Sequence, residues 1–265
     1  MDLGLAGRVV LVTGGSGAIG SAIASVLAEE GARVAVGYRA GLERASNAVA
    51  GIRASGGIAE AVPIDVRDSV SVSAAFTAVA STLGAVDVLV NCAGVASFAP
   101  LAEHTEEEWD RIFDTNVKGA YLCSRAALAH FAGRDGCSIV NVSSLAASTG
   151  SFEGPAYAAS KAAMDSLTLS LSHELAAHGV RVNAVAPGRI ETPFRRRHSG
   201  PYFDFMIEQT PLKRLGTVRE VASAVAFLAA PVSAFTTGAV LTVSGGLHTV
   251  YLNHVEAEPG SSLGG

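Results

Sequence analysis

The sequence lacks most of what would direct it to a membrane, a nucleic acid or a metal. No apolar run is long enough to span a bilayer; the apolar pieces are short and broken by Gly, Ser or charge. The opening residues, Met1 to Gly4, carry neither a basic n-region nor an apolar core, so no secretory leader is expected. Three cysteines, Cys92, Cys123 and Cys137, make no C-x-x-C pair and are odd in number. That usage points to free thiols in a reducing, cytoplasmic compartment. The seven histidines show no H-E-x-x-H or comparable ligand spacing, so no metal site is expected. Basic residues are not in excess: a net charge of −5 argues against a general nucleic-acid binder. Charged residues make up only 16% against 49% hydrophobic, which excludes a disordered chain. With 265 residues there is ample chain for a buried core.

What is present is an alternation of short apolar runs and helical patterns. Arg8–Val12 reads as a strand buried on both faces. Thr13–Gly20 follows at once, and Ser21–Glu30 has a helical pattern. Strand, glycine-rich turn and helix together are the context of a dinucleotide fingerprint. Gly15, Gly17 and Gly20 fit G-x-G-x-x-G, while Gly14, Ala18 and Gly20 fit T-G-x-x-x-G-x-G with alanine at the middle glycine. Such glycines let the backbone turn tightly and approach a pyrophosphate, which then sits on the helix N-terminus. Gly14, Ser16, Gly17, Ile19 and Gly20 are the cofactor-binding candidates here.

The next strand, Arg33–Tyr38, ends at Arg39. This strand end meets the adenosine ribose, where an NAD site places a carboxylate on the 2′-hydroxyl. Tyr38 and Arg39 stand there instead, and a guanidinium suits a 2′-phosphate, so NADP(H) is expected over NAD(H). The other reading of Arg39 is a solvated loop charge. A helical stretch from Leu42 to Ser55 leads to a strand over Ala59–Ile64, then Asp65 and Val66. Asp65 is placed either to accept from an adenine amine or to cap the following helix, Ser69–Leu83. Val86–Val90 is a further strand, stopping at Asn91, Cys92, Ala93 and Gly94, small residues that admit a flat ligand or simply make a turn.

Thr105–Trp109 reads as a capped helix start running to about Phe131. Asn116 and Gly119 are poor formers for its middle, so an irregular turn or a polar site is expected there. Cys137–Val142 is a strand with Ser143 and Ser144 at its end, followed by a loop to Tyr157. A helix over Ala156–Ala177 then carries Tyr157 and Lys161, one turn apart on one face. Free tyrosine has a pKa of about 10; a neighbouring ammonium favours the phenolate and makes the pair a candidate general acid/base. Taken alone, a half-buried tyrosine and a surface lysine is the commoner arrangement. The last buried strand, Val180–Val185, ends at Pro187 and Gly188. A helix over Thr217–Ala229 and a strand over Ala239–Val243 complete the pattern.

The alternation predicts an α/β fold: a Rossmann-type doubly wound parallel sheet of about seven strands, with helices on both faces. Each Gly- or Ser-rich stop follows a strand, so the stops share one edge and line one crevice. That edge brings Ser144, Tyr157 and Lys161 together. Residues 1–250 form one domain with a substrate lid over 192–212, and 251–265 form a Gly- and Ser-rich tail. The lid holds Phe194, Tyr202, Phe203 and Phe205, which suggest an apolar pocket roof. It also holds Arg195–His198, read either as a receptor for an anionic handle or as a solvated basic patch.

These pieces resemble a short-chain dehydrogenase/reductase over about residues 5–248. Thr13–Gly20, Asp65 with Val66, Asn91–Gly94, Asn116, Ser143 with Ser144, Tyr157–Lys161, Pro187–Thr192, Pro211–Gly216 and Val243–Gly246 carry the likeness. Ala18 and Cys92 depart from the commonest forms of their motifs. The resemblance implies a catalytic set of Asn116, Ser144, Tyr157 and Lys161. Tyr157 would protonate a ketone oxygen that Ser144 orients, Lys161 would hold the nicotinamide ribose, and Asn116 would hold a water linking Lys161 to solvent. It adds Pro187, Gly188, Ile190 and Thr192 to the cofactor site and implies a homotetramer. The pattern is most similar to 3-oxoacyl-(acyl-carrier-protein) reductases and related ketoreductases. A carrier-protein partner would meet only a thin basic face of Arg125, His130 and Arg134 beside Glu103 and Glu106–Glu108. Oxidation of a small alcohol, sugar or polyol is the alternative. A non-catalytic dinucleotide binder leaves Ser144, Tyr157 and Lys161 unexplained, and an S-adenosylmethionine methyltransferase does not account for the Tyr/Lys pair or Arg39.

Overall fold

A computed structural model describes residues 2–192 and 207–249. Most of the 192–212 segment, with its aromatics and Arg195–His198, and the 251–265 tail lie outside these residues. Seven strands form one sheet: β1 Val9–Thr13, β2 Arg33–Tyr38, β3 Ile58–Pro63, β4 Val88–Asn91, β5 Ser138–Val142, β6 Arg181–Pro187 and β7 Val240–Val243. Their order is β3-β2-β1-β4-β5-β6-β7, and every pair is parallel. The chain winds outward from β1 to β3, then returns to β4 on the other side of β1. The order therefore reverses between β1 and β4, and the crevice of such a sheet opens there, beyond the strands' carboxyl ends. Thr13 and Asn91 face each other in register at that point.

β1, β4, β5 and β6 are buried along their whole length, as apolar strands covered on both faces must be. One apolar layer joins the sheet to α1 (Ala18–Glu29), α2 (Leu42–Ala54) and α8 (Val218–Ala229). The other joins it to α3 (Ser69–Thr82), α5 (Gly119–Phe131) and the end of α7 (Pro155–Ala176). Helix starts follow local chemistry. The Asp68 side chain caps α3, Thr105 caps α4 (Glu106–Phe113), and Thr217 with Glu220 forms a capping box on α8. Pro155 opens α7 at the first turn, where its missing N–H costs nothing.

Two expectations are corrected in detail. The helix read from Thr105 to Phe131 is not continuous: a π-helical turn, Asp114–Lys118, separates α4 from α5. Asn116 sits inside that turn, so the poor helix formers mark a real irregularity. The loop read between Ser144 and Tyr157 contains a short helix, α6 (Ala146–Thr149).

The amino end of the sheet is pinned by polar groups that periodicity does not reveal. Asp87, 3% exposed, accepts from the Val9 N–H at 2.8 Å and from Arg8 at 3.2 Å, and also pairs with Arg134. Arg181, buried in β6, donates to the carbonyls of Leu228, Ala229 and Ala230 and to Ser233 Oγ. A cation on the last carbonyls of α8 complements the helix dipole there. Replacing Asp87 with Ala strands a buried N–H and two guanidinium groups. A loss of about 3 kcal/mol in unfolding free energy is expected from urea melts, and a loss below about 1 kcal/mol would show the clamp to be idle.

Candidate active site

The crevice floor is made by close backbone approach. A Cβ on Gly14 would lie 2.8 Å from Ala93 Cα, so the first glycine turn fits against the Asn91–Gly94 turn only without a side chain. Gly14 also has φ +65°, a left-handed conformation. Thr13 ties the two turns: its Oγ1 accepts the Cys92 and Ala93 N–H groups at 3.1 Å each and donates to Val90 O. The N-cap of α1 is Gly17, with no capping side chain and no acid in the first turn. The N-terminal N–H groups of α1 are therefore left for an anion, flanked by Ser16 and Ile19. Helix α1 begins at Ala18, so the last glycine of the motif, Gly20, lies inside it and packs on Gly14. These residues fit a dinucleotide's pyrophosphate.

At the adenosine end, Tyr38 packs on the core and Arg39 is exposed. Asp65 does not cap α3; Asp68 does. Asp65 is instead gripped by both arms of Arg67, Nε to Oδ1 at 2.9 Å and Nη2 to Oδ2 at 2.6 Å. That pairing, with smaller help from Arg39, holds the Asp65 carboxyl down at about 2. Val66 is buried, and a Cβ on Gly119 would strike its side chain at 2.6 Å, so the turn after Asn116 packs directly against the segment that follows β3.

The reactive end lies where α7 meets β5. Lys161 is 5% exposed; its Nζ donates to Val142 O at 2.7 Å and stands 5.9 Å from the Tyr157 ring centroid. Tyr157 is half-buried, tilted against Phe98 with ring centroids 5.9 Å apart. Ser144 is half-buried at the end of β5, its Oγ accepting the Ala146 N–H. A Cβ on Gly94 would lie 3.4 Å from Asn116 Oδ1 and 3.6 Å from Lys161 Nζ, so that glycine keeps the ammonium approachable. Pro187 closes β6, Gly188 N–H donates to Val243 O, and Ile190 is buried in a bridge to Gly216; Thr192 is the last described residue before position 207.

The surroundings of two predicted site residues are specific. Asn116 has no exposed surface and both its amide hydrogens are engaged: Oδ1 accepts the Val95 N–H at 2.8 Å, and Nδ2 donates to Val95 O and Ser160 Oγ. Its side chain staples the segment after Gly94 to α7 and has no donor left over for a water. Asn91 donates its Nδ2 to Asn141 Oδ1 and Ser124 Oγ, while its buried Oδ1 has no partner among the described residues. Sequence reading missed Thr13 and Ser160 as organisers. Both lay within recognised motifs, but only distances reveal which groups a hydroxyl ties together.

A parallel sheet with a glycine cradle at its switch point and a Tyr/Lys pair at the far end defines a dinucleotide-dependent oxidoreductase. The comparisons narrow the class. A family model described as enoyl-(acyl-carrier-protein) reductase matches residues 14–248. The 3-oxoacyl-(acyl-carrier-protein) reductase FabG of Staphylococcus aureus is 39% identical over 241 residues, 91% of this chain and 98% of that protein. The cis-4-hydroxycyclohexanecarboxylate dehydrogenase of Sinomonas cyclohexanicum is 39% identical over 251 residues, 94% of this chain and 100% of that one. The gluconate 5-dehydrogenase of Burkholderia cenocepacia, solved with NADP and tartrate, superposes with a TM-score of 0.89 at 32% identity, covering 94% of this chain and 98% of that one. The chain belongs to the short-chain dehydrogenase/reductase family and is an NAD(P)-dependent oxidoreductase.

Cys92, where the motif departs from its commonest form, is half-buried. Burial pushes its thiol up to about 11, against the nearby Lys161 charge, which pulls the other way. A thiol raised this far is scarcely ionised at pH 8, and the thiolate is the nucleophile. Iodoacetamide at that pH is expected to leave Cys92 unmodified in the native protein and to label it after denaturation, as read by peptide mass mapping. Rapid native labelling would contradict the raised thiol.

Proposed function

We propose that this protein is an NADP(H)-dependent ketoreductase in which Tyr157 is the general acid toward a substrate carbonyl. The observation that carries the reading is the seating of Tyr157 and the buried Lys161 side by side on α7, next to the open backbone of Gly94. When bound, NADPH supplies the hydride. Tyr157 donates a proton to the carbonyl oxygen, and Ser144 donates a hydrogen bond to the same oxygen. Lys161 spends one donor on Val142 and keeps others for ribose hydroxyls. Its charge stabilises the anion left on Tyr157 as the proton departs. Asn116 acts through its staple, fixing the backbone beside Lys161; a water relay would have to run past the backbone of the π turn.

Gly14, Ser16, Gly17, Ile19 and Gly20 cradle the pyrophosphate, Asp65 and Val66 border the adenine, and Asn91, Ala93 and Gly94 face the ribose. Pro187, Gly188, Ile190 and Thr192 border the nicotinamide. Preference for the phosphorylated cofactor rests on charge. Asp65 is neutralised by Arg67, which leaves the exposed Arg39 as a cation at the end of β2 for the 2′ position.

The relatives support two substrate readings. FabG favours a 3-oxoacyl thioester reduced to its alcohol. The two dehydrogenases favour a hydroxy acid or polyol worked in the oxidative direction. A carrier-protein dock gains little from the structure. Arg134 is spent on Asp87 and His130 on the Val86 N–H, both at the end of the sheet opposite the crevice. We read the assembly as a homotetramer in which apolar residues left exposed near the last strand, Phe227, Phe235, Val240 and Leu241, become covered.

A screen of NADPH consumption over 3-oxoacyl thioesters, small ketones and keto sugars tests the activity; silence across all three would remove it. Tyr157→Phe is expected to lower kcat by about 10²- to 10⁴-fold with the NADPH dissociation constant within about twofold of the parent. Near-normal turnover would contradict its role as the acid. Arg39→Ala is expected to weaken NADPH binding about 10- to 100-fold and leave NADH binding nearly unchanged, as read by fluorescence titration. Equal losses for both would withdraw the cofactor assignment.

A further inference from the structure

The grip of Arg67 on Asp65 has a consequence for the residue on the next strand. β2 and β3 are parallel neighbours with Tyr38 opposite Pro63, and the Ile64 N–H donates to Tyr38 O at 2.7 Å. Arg39 and Asp65 therefore leave the sheet from adjacent strands, which run about 4.8 Å apart. Asp65 cannot swing away, because its backbone is pinned twice. Its N–H donates to Ser71 Oγ at 2.9 Å, and its carbonyl accepts the Asp68 N–H at 3.1 Å. The carboxylate is taken by three donors of one residue: the Arg67 N–H and Nε on Oδ1, and Nη2 on Oδ2. Arg39 is exposed, and the acid beside it pairs with Arg67 and not with Arg39. Either guanidinium could fork onto that carboxylate. Other charges at this end are Arg44, whose guanidinium lies against Gly41, and Glu43 and Asp68 at the starts of α2 and α3. Asp114, on the π turn, is paired with Lys118.

We propose that Arg67 is a specificity-determining residue for the cofactor: by occupying both oxygens of Asp65 it keeps that carboxylate off Arg39 and leaves the Arg39 guanidinium for a 2′-phosphate. The proposal rests on the reading that Arg39 faces the 2′ position. Without Arg67, Asp65 acts against a phosphorylated cofactor in two ways. It draws off the guanidinium that the phosphate needs, and its own charge repels the phosphate. A 2′-hydroxyl carries no charge, so NADH escapes both effects. Loss of Arg67 does not silence the acid by protonating it, because an ordinary aspartate, at about 3.9, is still ionised at neutral pH. The Arg67 and Asp65 side chains are 38% and 26% exposed, so water screens the pair and the effect is graded, not all-or-none.

The test reads the ratio of the NADH to the NADPH dissociation constant, by fluorescence titration of the full chain at neutral pH. A ratio cancels every contact with the part the two cofactors share, including any that Asp65 itself makes to the adenine. Arg67→Ala is expected to lower the ratio about three- to tenfold. Arg67→Lys keeps a cation beside the acid and should hold the ratio within about twofold of the parent. Asp65→Asn combined with Arg67→Ala should bring it back to within about twofold of the parent, because no carboxylate is then left to compete. Both side chains are partly exposed, so these variants are expected to melt with the parent. An unchanged ratio in Arg67→Ala overturns the proposal. So does a double variant no better than Arg67→Ala, which would mean that Arg67 touches the phosphate itself. Arg39→Ala separates the two readings. A ratio that it does not lower removes the cofactor assignment, whereas a ratio lowered by Arg39→Ala and untouched by Arg67→Ala removes this inference alone.

Discussion

The hydrogen bond from the Lys161 ammonium to the carbonyl of Val142 fixes the relation between a helix and a strand end. An ammonium removed from water must find acceptors, and the carbonyl of the last residue of β5 is one. Once that bond is made, α7 cannot slide along the sheet. Tyr157 is then held one turn away, at the edge where β1 and β4 part. The glycine turns after those strands complete the arrangement by leaving room: Gly14 lies against Ala93, and Gly94 lies before the ammonium. Position and vacancy together define the site.

The polar groups divide between the two ends of the sheet. At the amino ends, Asp87 and Arg181 satisfy many partners at once and leave nothing free, as buried charges in a structural role should. At the carboxyl ends, Lys161 is incompletely partnered, the first N–H groups of α1 are uncapped, and Asp165 keeps an empty oxygen. Buried polar atoms without a partner occur at both ends among the described residues: Arg33 Nε where β2 opens, and Asn91 Oδ1 where β4 closes. The rigid end supplies the framework on which such a site can be held to fractions of an ångström.

Most of the fold was legible in the sequence because parallel strands covered on both faces read as short apolar runs, and Gly or Ser stops mark their carboxyl ends. The capping signals at Thr105 and Thr217 were equally plain. Asn116 shows where legibility stops. Its poor helix propensity announced an irregular turn, and the turn is there, but the spacing carried no hint that both ends of its amide would be taken by Val95. Asp65 shows the same limit from another side: two roles were open, and Arg67, two residues on, gives its carboxylate a third. Periodicity encodes which face is inside; it does not encode which buried polar group meets which.

The single wide turn at Asp114–Lys118 has a consequence for how the two halves of that long helical stretch are compared with relatives. A five-residue closure in place of four inserts one extra residue into the winding, which rotates everything downstream by about 100° relative to a regular helix. The stripe of α5 that meets the sheet, including Cys123, Ala127 and Phe131, is thus out of phase with the inward residue of α4, Ile112. A homologue that winds evenly through this stretch must drop one residue to keep its stripe inward, so an alignment gap near Asn116 would mark a relative whose lysine seat is built without the staple.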